Sequence, residues 1–478
     1  MEMIEMTERK SGYAKNDFSH QTVFDVLVIG GGITGATMAA YLGNAGKKVA
    51  VIEKDFSEQD RIVGELLQPG GVKKLHELGL ADCLEGIDSA PVSGYAIFKE
   101  GKQIHVPYPE SGFLGRGFHN GRFVQQLRAK ITNHPNITLF EGTAVNLLRN
   151  AEGKINGAHF SERFSDDELE IKAHLTLVSD GFFSIFRKEL SDNKPKLSGF
   201  FLGLVLKNTA LPYPNHGHVF ITDTSPFLAY PISRNEIRML IDFPGTMPPK
   251  KSEALKKELR VRILPFLHES LHEAFLCAVE EGGFKVMPNH YMPGKPKIEE
   301  GAALLGDALN MRHPLTGGGM TACFTDILAL GQLLATCEDF SNRRAVKQLL
   351  HQFYTEKRRE NSTINILADA LYRVFRHKPL ADACFEYLAR GGKFAEEPVS
   401  ILSGISRNRK LLISHFFAVA GFGAKNLLRK GKGMGSAYRM VNNAFQIVYP
   451  LIMNEKPGLA EKIILKSGKL VFPATQQQ

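Results

Sequence analysis

The stretch that decides the fold is Phe24-Asp25-Val26-Leu27-Val28-Ile29-Gly30-Gly31-Gly32-Ile33-Thr34-Gly35. Its first half is rich in β-branched residues, and residues 26–29 contain no polar break, as in a parallel strand buried on both faces. Its second half matches the pattern G-x-G-x-x-G at Gly30, Gly32 and Gly35. A buried strand that runs directly into this glycine turn predicts the start of a β-turn-α unit.

The residues after the turn complete that unit. A helix-compatible run follows, and residues 48–53 predict a second strand that ends in an acid, Glu53, eighteen residues after Gly35. In such a unit Gly30 permits the tight turn, Gly32 lets the backbone approach a pyrophosphate and Gly35 lets helix and strand pack closely. The helix N-terminus offers unpaired N–H groups to phosphates, and Glu53 can accept from ribose hydroxyls. This predicts a Rossmann-type domain that binds a dinucleotide, either FAD or NAD.

Two later motifs have the same strand-to-turn form. An apolar strand over residues 175–181 ends in Asp-Gly, which alone is a common turn. Another apolar strand, over residues 302–308, ends in Gly-Asp-Ala and leads into Gly317-Gly318-Gly319-Met320, which a helix-compatible run over 321–334 follows. A strand, an acid and a glycine loop that opens a helix suit a second element in contact with phosphate or flavin.

Together these elements resemble the group A flavoprotein monooxygenases. Longer blocks narrow the resemblance to the squalene monooxygenases (squalene epoxidases), and the match spans about residues 24–455. The blocks that carry it are Asp60-Arg61-Ile62-Val63-Gly64-Glu65-Leu66-Leu67-Gln68-Pro69-Gly70-Gly71, Ser179-Asp180-Gly181-Phe182-Phe183-Ser184, Asn310-Met311-Arg312-His313-Pro314-Leu315-Thr316-Gly317-Gly318-Gly319-Met320 and His415-Phe416-Phe417-Ala418-Val419-Ala420.

The resemblance implies an α/β fold with three parts: a Rossmann-type FAD-binding domain, an inserted β-sheet substrate domain and a C-terminal α-helical, membrane-associated region. We assign a flexible leader to 1–23, the discontinuous FAD-binding domain to 24–90, 115–190 and 296–340, the substrate-binding domain to 91–114 and 191–295, and the helical region to 341–478. Strands of the substrate sheet are expected around residues 93–107, 200–208, 217–231 and 235–243.

The same resemblance implies which residues contact FAD. Arginines among them suit a position near phosphates, whereas Ala144 rests on alignment alone. The expected FAD contacts are Gly30, Gly32, Ile33, Thr34, Gly35, Glu53, Lys54, Arg61, Arg128, Ala144, Asp307, Gly319 and Met320.

The implied activity is epoxidation of squalene to (S)-2,3-epoxysqualene in sterol or triterpenoid biosynthesis, through a flavin C4a-hydroperoxide. This chemistry needs a dry, apolar pocket and no metal. The resemblance places Tyr95 near the flavin with Gln68 as its hydrogen-bond partner, and we expect this candidate catalytic pair to orient rather than to abstract a proton. Candidate substrate-lining residues are Tyr95, Phe227, Leu228, Tyr230, Pro231, Met287 and Pro288, and ordinary core packing is the alternative for each.

Charge is concentrated near the C-terminus. The chain carries a net charge of +9, of which residues 406–478 contribute +10, so residues 1–405 carry −1. Residues 411–424 are apolar but only fourteen in number, which predicts a helix too short to span a bilayer, and Pro450 is expected to break the apolar run 445–453. Apolar helices bordered by Lys and Arg are typical of monotopic membrane association, although a solvated bundle packed on the FAD-binding domain is the alternative.

Other features exclude several classes of function. The five cysteines are scattered and form no C-x-x-C pair, which argues against a disulfide framework or a zinc site. We also expect no nucleic-acid binding, because no recognised module is present. No secretory signal precedes the first strand, and we expect no long N-terminal sensing region. The expected location is the cytoplasmic face of a membrane, the endoplasmic reticulum in a eukaryote.

Partners follow from the same resemblance. Squalene, O₂ and membrane lipid are the partners that the resemblance implies. Only one full dinucleotide fingerprint is present, so a separate NADPH-dependent flavoprotein reductase is also expected. Two alternatives remain open at this point: an FAD-dependent isoprenoid reductase that acts on geranylgeranyl-type chains, and a membrane flavoprotein without turnover.

Overall fold

The computed structural model describes residues 22–163, 165, 167–247, 249 and 252–455. Residues 1–21 of the predicted leader lie outside these ranges, and so do residues 456–478 of the predicted helical region.

Strands account for much of the first three hundred residues. In chain order they are β1 (Val23–Ile29), β2 (Val49–Glu53), β3 (Leu66–Leu67), β4 (Ala90–Val92), β5 (Gly94–Lys99), β6 (Lys102–Pro107), β7 (Gly115–Gly117), β8 (Ile137–Arg149), β9 (Ile155–Glu162), β10 (Glu168–Val178), β11 (Lys196–Lys207), β12 (His216–Phe220), β13 (Phe227–Pro231), β14 (Glu236–Phe243), β15 (Lys285–Tyr291) and β16 (Ala302–Leu304).

Helices fill the gaps and make up the C-terminal third. They are α1 (Ile33–Asn44), α2 (Pro69–Glu77), α3 (Asn120–Ala129), α4 (Arg187–Leu190), α5 (Glu253–Ile263), α6 (His272–Glu281), α7 (Gly319–Ala335), α8 (Arg343–Thr355), α9 (Ser362–Phe375), α10 (Lys378–Leu388), α11 (Lys393–Leu402), α12 (Arg409–Arg429) and α13 (Met434–Asn454).

The first sheet is built on parallel strands. β1 pairs in parallel with β2 and β10, β2 with β8, and β10 with β16, while β9 is antiparallel to β8 and β10. Both faces of β1 are covered, since Val26 and Val28 belong to one apolar cluster and Leu27 and Ile29 to another. Burial on both faces explains the unbroken apolar run. The predicted Rossmann-type fold is confirmed.

The second sheet has seven strands in the order β15-β11-β14-β13-β12-β5-β6. All neighbouring pairs are antiparallel except β5 and β12. One face packs on α5 and α6 through residues such as Phe227, and the opposite face packs on the C-terminal helices through residues such as Leu228. All four expected segments contain strands, whereas β15 lies outside them. A small third sheet joins β3, β7 and β4.

A buried ion pair connects the segment before β3 to the second sheet. Arg238 of β14 donates through Nε to Glu65 Oε2 at 2.6 Å and through Nη2 to Glu65 Oε1 at 3.0 Å. Only 1% of Glu65 and 3% of Arg238 is exposed. Two parallel hydrogen bonds hold the pair in one geometry. Loss of either side chain would leave the other charge buried without water or a counterion.

The C-terminal region is helical, and it corrects two sequence-based expectations. The prediction that the segment around residues 411–424 is too short to span is wrong, because α12 extends over Arg409–Arg429 and includes the basic residues at both ends. Among the described residues α12 is the one helix long and apolar enough to cross a membrane, and 22% of its most apolar stretch is buried. Pro450 does not break the second run, since α13 continues through it. The helical region is therefore compatible with membrane association.

Candidate active site

The glycine turn between β1 and α1 has close packing at its ends and open space between them. A Cβ on Gly35 would lie 1.8 Å from Gly30 O, and one on Gly30, whose φ is +97°, would lie 2.7 Å from Ser179 O. A Cβ on Gly32 would meet nothing within 4 Å. Gly32 is also the N-cap of α1 without a side-chain cap, so the first N–H groups of the helix face this open side. The turn therefore has the cradle and the donors that a pyrophosphate requires.

Glu53 and Arg128 meet at this turn. Gly31 N donates to Glu53 Oε2 at 2.6 Å, and Arg128 Nε donates to Gly31 O at 2.9 Å. Arg128 Nη2 lies 3.7 Å from Glu53 Oε1, and Arg128 Nη1 donates to Ser57 O at 3.1 Å. Arg128 thus braces the turn and the strand end through backbone carbonyls.

Other predicted contacts lie around the same edge of the first sheet. Lys54 is exposed directly after β2, whereas Ala144 is buried in β8 with its side chain in an apolar cluster. Ala144 lies three residues after Glu141, and Glu141 pairs in register with Glu53. The side chain of Ala144 thus packs in that apolar cluster.

The Gly306-Asp307 turn lies against the start of α1. A Cβ on Gly306, whose φ is +58°, would lie 2.4 Å from Thr34 Oγ1, and that oxygen is 3.1 Å from the Cys323 sulfur on α7. Asp307 is accessible to solvent, yet surrounding protein raises the pKa of its carboxyl, and Arg312, Arg61 and Arg187 oppose that effect. An accessible carboxylate enclosed in this way lies in a recess, with cations near it.

Arg187 is a residue that sequence reasoning missed. Its Nε donates to Ala308 O at 2.9 Å, and its Nη2 donates to Gly181 O at 3.0 Å and to Phe182 O at 2.8 Å. It therefore ties the Asp-Gly turn after β10 to the Gly-Asp turn after β16. No local pattern could have revealed it, because its partners are main-chain carbonyls far apart in the chain.

The third glycine loop lies beside Gln68. Gly317 has a φ of +61°, and a Cβ there would lie 3.2 Å from Gln68 Nε2. α7 begins at Gly319, whose carbonyl accepts from Arg312 Nη1 at 3.3 Å. The side chain of Met320 is buried in the cluster between α1, α2 and α7, and Ile33 packs against that cluster.

Gln68 joins this loop to the second sheet through a buried polar group. Its Nε2 donates to Tyr95 Oη at 2.5 Å and to Thr316 O at 2.9 Å, and its Oε1 accepts from Tyr108 Oη at 2.7 Å. The rings of Tyr95 and Tyr108 meet edge to face with centroids 5.5 Å apart. Burial raises the pKa of Tyr95, and that of Tyr108 well above its ordinary value, so both hydroxyls keep their protons. Sequence reasoning missed Tyr108, which follows the last residue of β6.

An apolar cavity opens from this group. Its volume is about 120 Å³. Tyr95, Ile97, Val219 and Leu228 of the second sheet form one wall, and the opposite wall comes from Leu315 and from helices α9 to α12. For those helices the sequence predicts association with the membrane or, as the alternative, a solvated bundle packed on the FAD-binding domain. Their contribution to the cavity could not be predicted, since it depends on contacts between distant parts of the chain.

The structure brings only some of the predicted lining residues to this cavity. Tyr95 and Leu228 line it. Phe227 does not line the cavity as predicted, because side chains alternate along β13 and Phe227 faces the opposite side of the sheet, against α5 and α6. Tyr230 shares the face of Leu228 but is buried outside the cavity wall, and Met287 of β15 packs at the margin of the same cluster. Pro231 and Pro288 do not line the cavity either.

Comparison with known proteins identifies the family. Residues 172–441 match the family model described as squalene epoxidase, and residues 25–114 match that of FAD dependent oxidoreductase. The chain is 44% identical over 445 residues to squalene epoxidase 2, mitochondrial, of Arabidopsis thaliana, covering 90% of this chain and 76% of that protein. The chain belongs to the squalene epoxidase family.

Relatives in this family come from other kingdoms as well. Squalene epoxidase erg1 of Schizosaccharomyces pombe is 39% identical, with 90% of this chain and 98% of that protein covered. Squalene monooxygenase of Mus musculus is 37% identical, with 90% and 78% covered. Both matches extend over most of this squalene epoxidase family member.

Solved structures support the fold. A probable FAD-dependent monooxygenase of Pseudomonas aeruginosa, pqsL, superposes with a TM-score of 0.61 at 21% identity, covering 75% of this chain and 98% of that one. A single-residue variant of Klebsiella pneumoniae HpxO, solved in complex with FAD, gives 0.65 at 18% identity, covering 80% and 99%. FAD is the cofactor of this squalene epoxidase family protein, as predicted, and the cradle at Gly32 has the geometry it needs.

Proposed function

We propose that this enzyme uses FAD and O₂ to convert squalene to (S)-2,3-epoxysqualene. The observation that carries the proposal is the apolar cavity that ends at Tyr95, whose hydroxyl is joined through Gln68 to the glycine loop at Gly317. A hydrocarbon has no polar group to hold, so the apolar character of the wall is the feature that selects it.

The three glycine turns would hold the cofactor. N–H groups at the start of α1 would face the pyrophosphate, Glu53 would accept from the adenosine ribose, and Asp307 would accept from hydroxyls in its recess. Arg61 and Arg312 would balance the phosphate charge beside Asp307. When bound and reduced, FAD supplies the activation of O₂: one oxygen atom goes to the alkene, the other leaves as water, and a donor provides two electrons.

Gln68, Tyr95 and Tyr108 would act by orientation. Every polar atom of the Gln68 side chain is used: Nε2 donates to Tyr95 and to Thr316 O, and Oε1 accepts from Tyr108. Because burial raises the pKa of both tyrosines, neither is a general base near neutral pH. The group fixes the ring of Tyr95 at the end of the cavity, where it would position the alkene.

The cavity wall would also exclude water from the oxygen-transfer step. Leu228 and Val219 face α9 and α10 across it, and their burial removes apolar surface from solvent. A dry site protects a reactive oxygen species from hydrolysis, which directs the oxygen to the alkene.

Electron donor and location belong to the same proposal. A separate NADPH-dependent flavoprotein reductase would reduce the FAD, since the one complete dinucleotide fingerprint serves FAD itself. Membrane lipid would surround the exposed side of α12, whose ends carry Arg409 and Arg429. In this proposal the enzyme lies on the cytoplasmic face of a membrane, the endoplasmic reticulum in a eukaryote, where squalene can pass from lipid to cavity.

The test is a single turnover with labelled oxygen. The purified protein with its FAD is reduced without air and mixed with ¹⁸O₂ and detergent-dispersed squalene, and the extract is analysed by mass spectrometry. We expect an epoxide that carries one ¹⁸O atom, no product and no bound FAD in Asp307→Ala, and FAD retention with a reduced yield in Tyr95→Phe. Tyr354→Phe is the matched control, because that hydroxyl donates to Leu304 O outside the cavity. Formation of hydrogen peroxide with squalene unchanged would contradict the proposal and would indicate another isoprenoid as the substrate.

A further inference from the structure

Helix α11 is a short element bounded by left-handed glycines. Gly391 and Gly392 precede it with φ angles of +67° and +52°, and Gly404 follows it with +72°. A Cβ on Gly391 or Gly392 would meet nothing within 4 Å, so the connection at the N-terminal end has room to change conformation. α11 supplies Pro398, Val399, Ile401 and Leu402 to the wall of the cavity.

The C-terminal end of α11 is held by main-chain contacts. Gly70 N donates to Ser403 O at 2.8 Å, and a Cβ on Gly70 would lie 2.4 Å from Gly404 O. Gly70 belongs to α2, which begins directly after Gln68. The end of α11 is therefore a fixed point against the segment that carries Gln68.

The N-terminal half of α11 is attached through side chains. Phe394 contacts Arg390, whose guanidinium carbon lies 3.9 Å from the ring centroid, and its centroid is 5.2 Å from that of Tyr387. Pro398 lies inside the helix and has no N–H, so it cannot make the helical hydrogen bond to the carbonyl of Phe394. This half is therefore attached to its neighbours through side chains, whereas the end at Ser403 is attached through the main chain.

A chain of three polar side chains, one from each of three helices, crosses the middle of this region. His415 Nε2 of α12 lies 2.6 Å from Glu397 Oε2 of α11, and His415 Nδ1 lies 2.9 Å from Tyr387 Oη of α10. A carboxylate accepts only, so Nε2–H donates to Glu397 and Nδ1 accepts from the Tyr387 hydroxyl. Tyr387 and His415 also line the cavity, and their polar atoms bond to each other and to Glu397 in an otherwise apolar wall.

We propose that α11 is the gate of the cavity and that Tyr387, His415 and Glu397 are its latch. The gate turns at Ser403-Gly404 against Gly70, and it parts from α12 when the bond between Glu397 and His415 breaks. These three are positioning residues, and they control passage of an apolar molecule without taking part in oxygen transfer. That the molecule is squalene rests on the proposed function, whereas the gate requires only an apolar ligand.

The first experiment measures release of tritiated squalene from the oxidised, FAD-loaded enzyme into lipid vesicles. Glu397→Ala and His415→Ala should release it up to about fivefold faster, because the Glu397 side chain is 42% exposed and a partly exposed pair contributes at most about 1 kcal/mol. Tyr387→Phe, which breaks only the outer bond, should give a smaller increase. Glu386→Ala is the matched control, because Glu386 accepts from Asn426 at 2.7 Å between α10 and α12 without touching α11. It should release squalene at the wild-type rate.

A second measurement separates the gate from the substrate and from general damage. Amide hydrogen exchange within α11 should be faster in Glu397→Ala and unchanged in Glu386→Ala, while single-turnover oxygen transfer from preloaded, reduced enzyme stays at the wild-type rate. The gate would be overturned if Glu397→Ala left both squalene release and amide exchange in α11 at the wild-type rate. It would also be overturned if Glu397→Ala slowed single-turnover oxygen transfer by as large a factor as it changed squalene release. If wild-type enzyme binds no squalene, the proposed function fails, and the exchange of α11 amides still decides the gate.

Discussion

The cofactor turns and the cavity are built in different ways. The turns at residues 30–35, 179–181 and 306–319 consist mainly of backbone. Gly35 leaves no room for a Cβ, the N–H groups after Gly32 face open space, and Arg187 binds carbonyls of the other two turns. The cavity consists of side chains from elements that lie hundreds of residues apart, such as Tyr95 and His415. Backbone geometry restricts residue type at single positions, whereas an apolar wall accepts many residues of similar size. The two regions should therefore respond differently to substitution.

The largest expected effect lies in the first turn. Gly35→Ala places a Cβ 1.8 Å from Gly30 O, so the turn cannot form and the protein should purify without FAD. Gly32→Ala meets open space in the protein and should fold normally, but its methyl group intrudes on the cofactor, so we expect FAD affinity to fall by about tenfold or more. Flavin absorbance and thermal unfolding measure both effects.

Gly433 provides the control for that pair. It is also an open helix N-cap with a negative φ, at the start of α13, so Gly433→Ala should leave FAD content unchanged and cost at most about 1 kcal/mol of stability, because Ala is a poorer N-cap than Gly. If Gly32→Ala bound FAD as tightly as the wild type, the cradle would not be the pyrophosphate site.

The next largest effect is expected where the two regions join. Arg238→Met leaves Glu65 buried without its partner and should lower the free energy of unfolding by about 3–5 kcal/mol. Arg260→Met removes an exposed partner of Glu280 and should cost at most about 1 kcal/mol. Chemical denaturation with FAD present compares the two, and similar losses in both variants would contradict the argument from burial.

A pH dependence distinguishes the helical region. Burial raises the pKa of Asp369 on α9 to about 8, from 3.8 when unfolded, and its Oδ2 is buried without a hydrogen-bond partner. The folded state then binds a proton that the unfolded state has lost, so stability falls as pH rises from about 4 to about 8. Asp369→Asn should be more stable than the wild type by on the order of 2 kcal/mol at pH 8, and by less at pH 5.

Asp339 serves as the comparison for this titration. Hydrogen bonds from Ser341 lower the pKa of its exposed carboxyl, so its linkage lies below pH 4. The difference in stability between Asp339→Asn and the wild type should show no trend between pH 5 and 8 in thermal unfolding. If this difference changed with pH as much as that between Asp369→Asn and the wild type, the assignment to Asp369 would be contradicted.

The smallest expected effect is at Tyr108. Tyr108→Phe removes the donor to Gln68 Oε1 but leaves the contact between Gln68 and Tyr95, so a loss of about 1 kcal/mol, or roughly fivefold in kcat/KM, is expected. The ratio of epoxide to hydrogen peroxide should fall with it, while FAD content is unchanged. Tyr438→Phe, at a position that is 72% exposed, should leave that ratio as in the wild type.

The same contrast explains what could be predicted from sequence. Gly30, Gly35 and the acid at Glu53 form a local pattern, so the Rossmann-type fold followed from residues 24–53, and long family blocks directed attention to Gln68 and Tyr95, which the structure places in hydrogen-bond contact. Phe227 and Leu228 were both expected at the substrate, but neighbours on a strand face opposite sides. Tyr108 bonds to the distant Gln68, and Arg187 joins nearby carbonyls to the distant carbonyl of Ala308, so no local motif marks either residue.

The order of the two cavity walls along the chain has a consequence for biosynthesis. The sheet wall is complete when β15 ends at Tyr291, whereas the helices that cover it begin at Ser362 and end with α12 at Arg429. At translation rates of about 5–20 residues per second, this interval is on the order of ten seconds. During that time the nascent chain exposes the apolar face around Ile97 and Leu228 with no helix to cover it. A chaperone or the lipid surface must protect this face until the ribosome has delivered the helices, so the cofactor half matures before the half that receives the hydrocarbon.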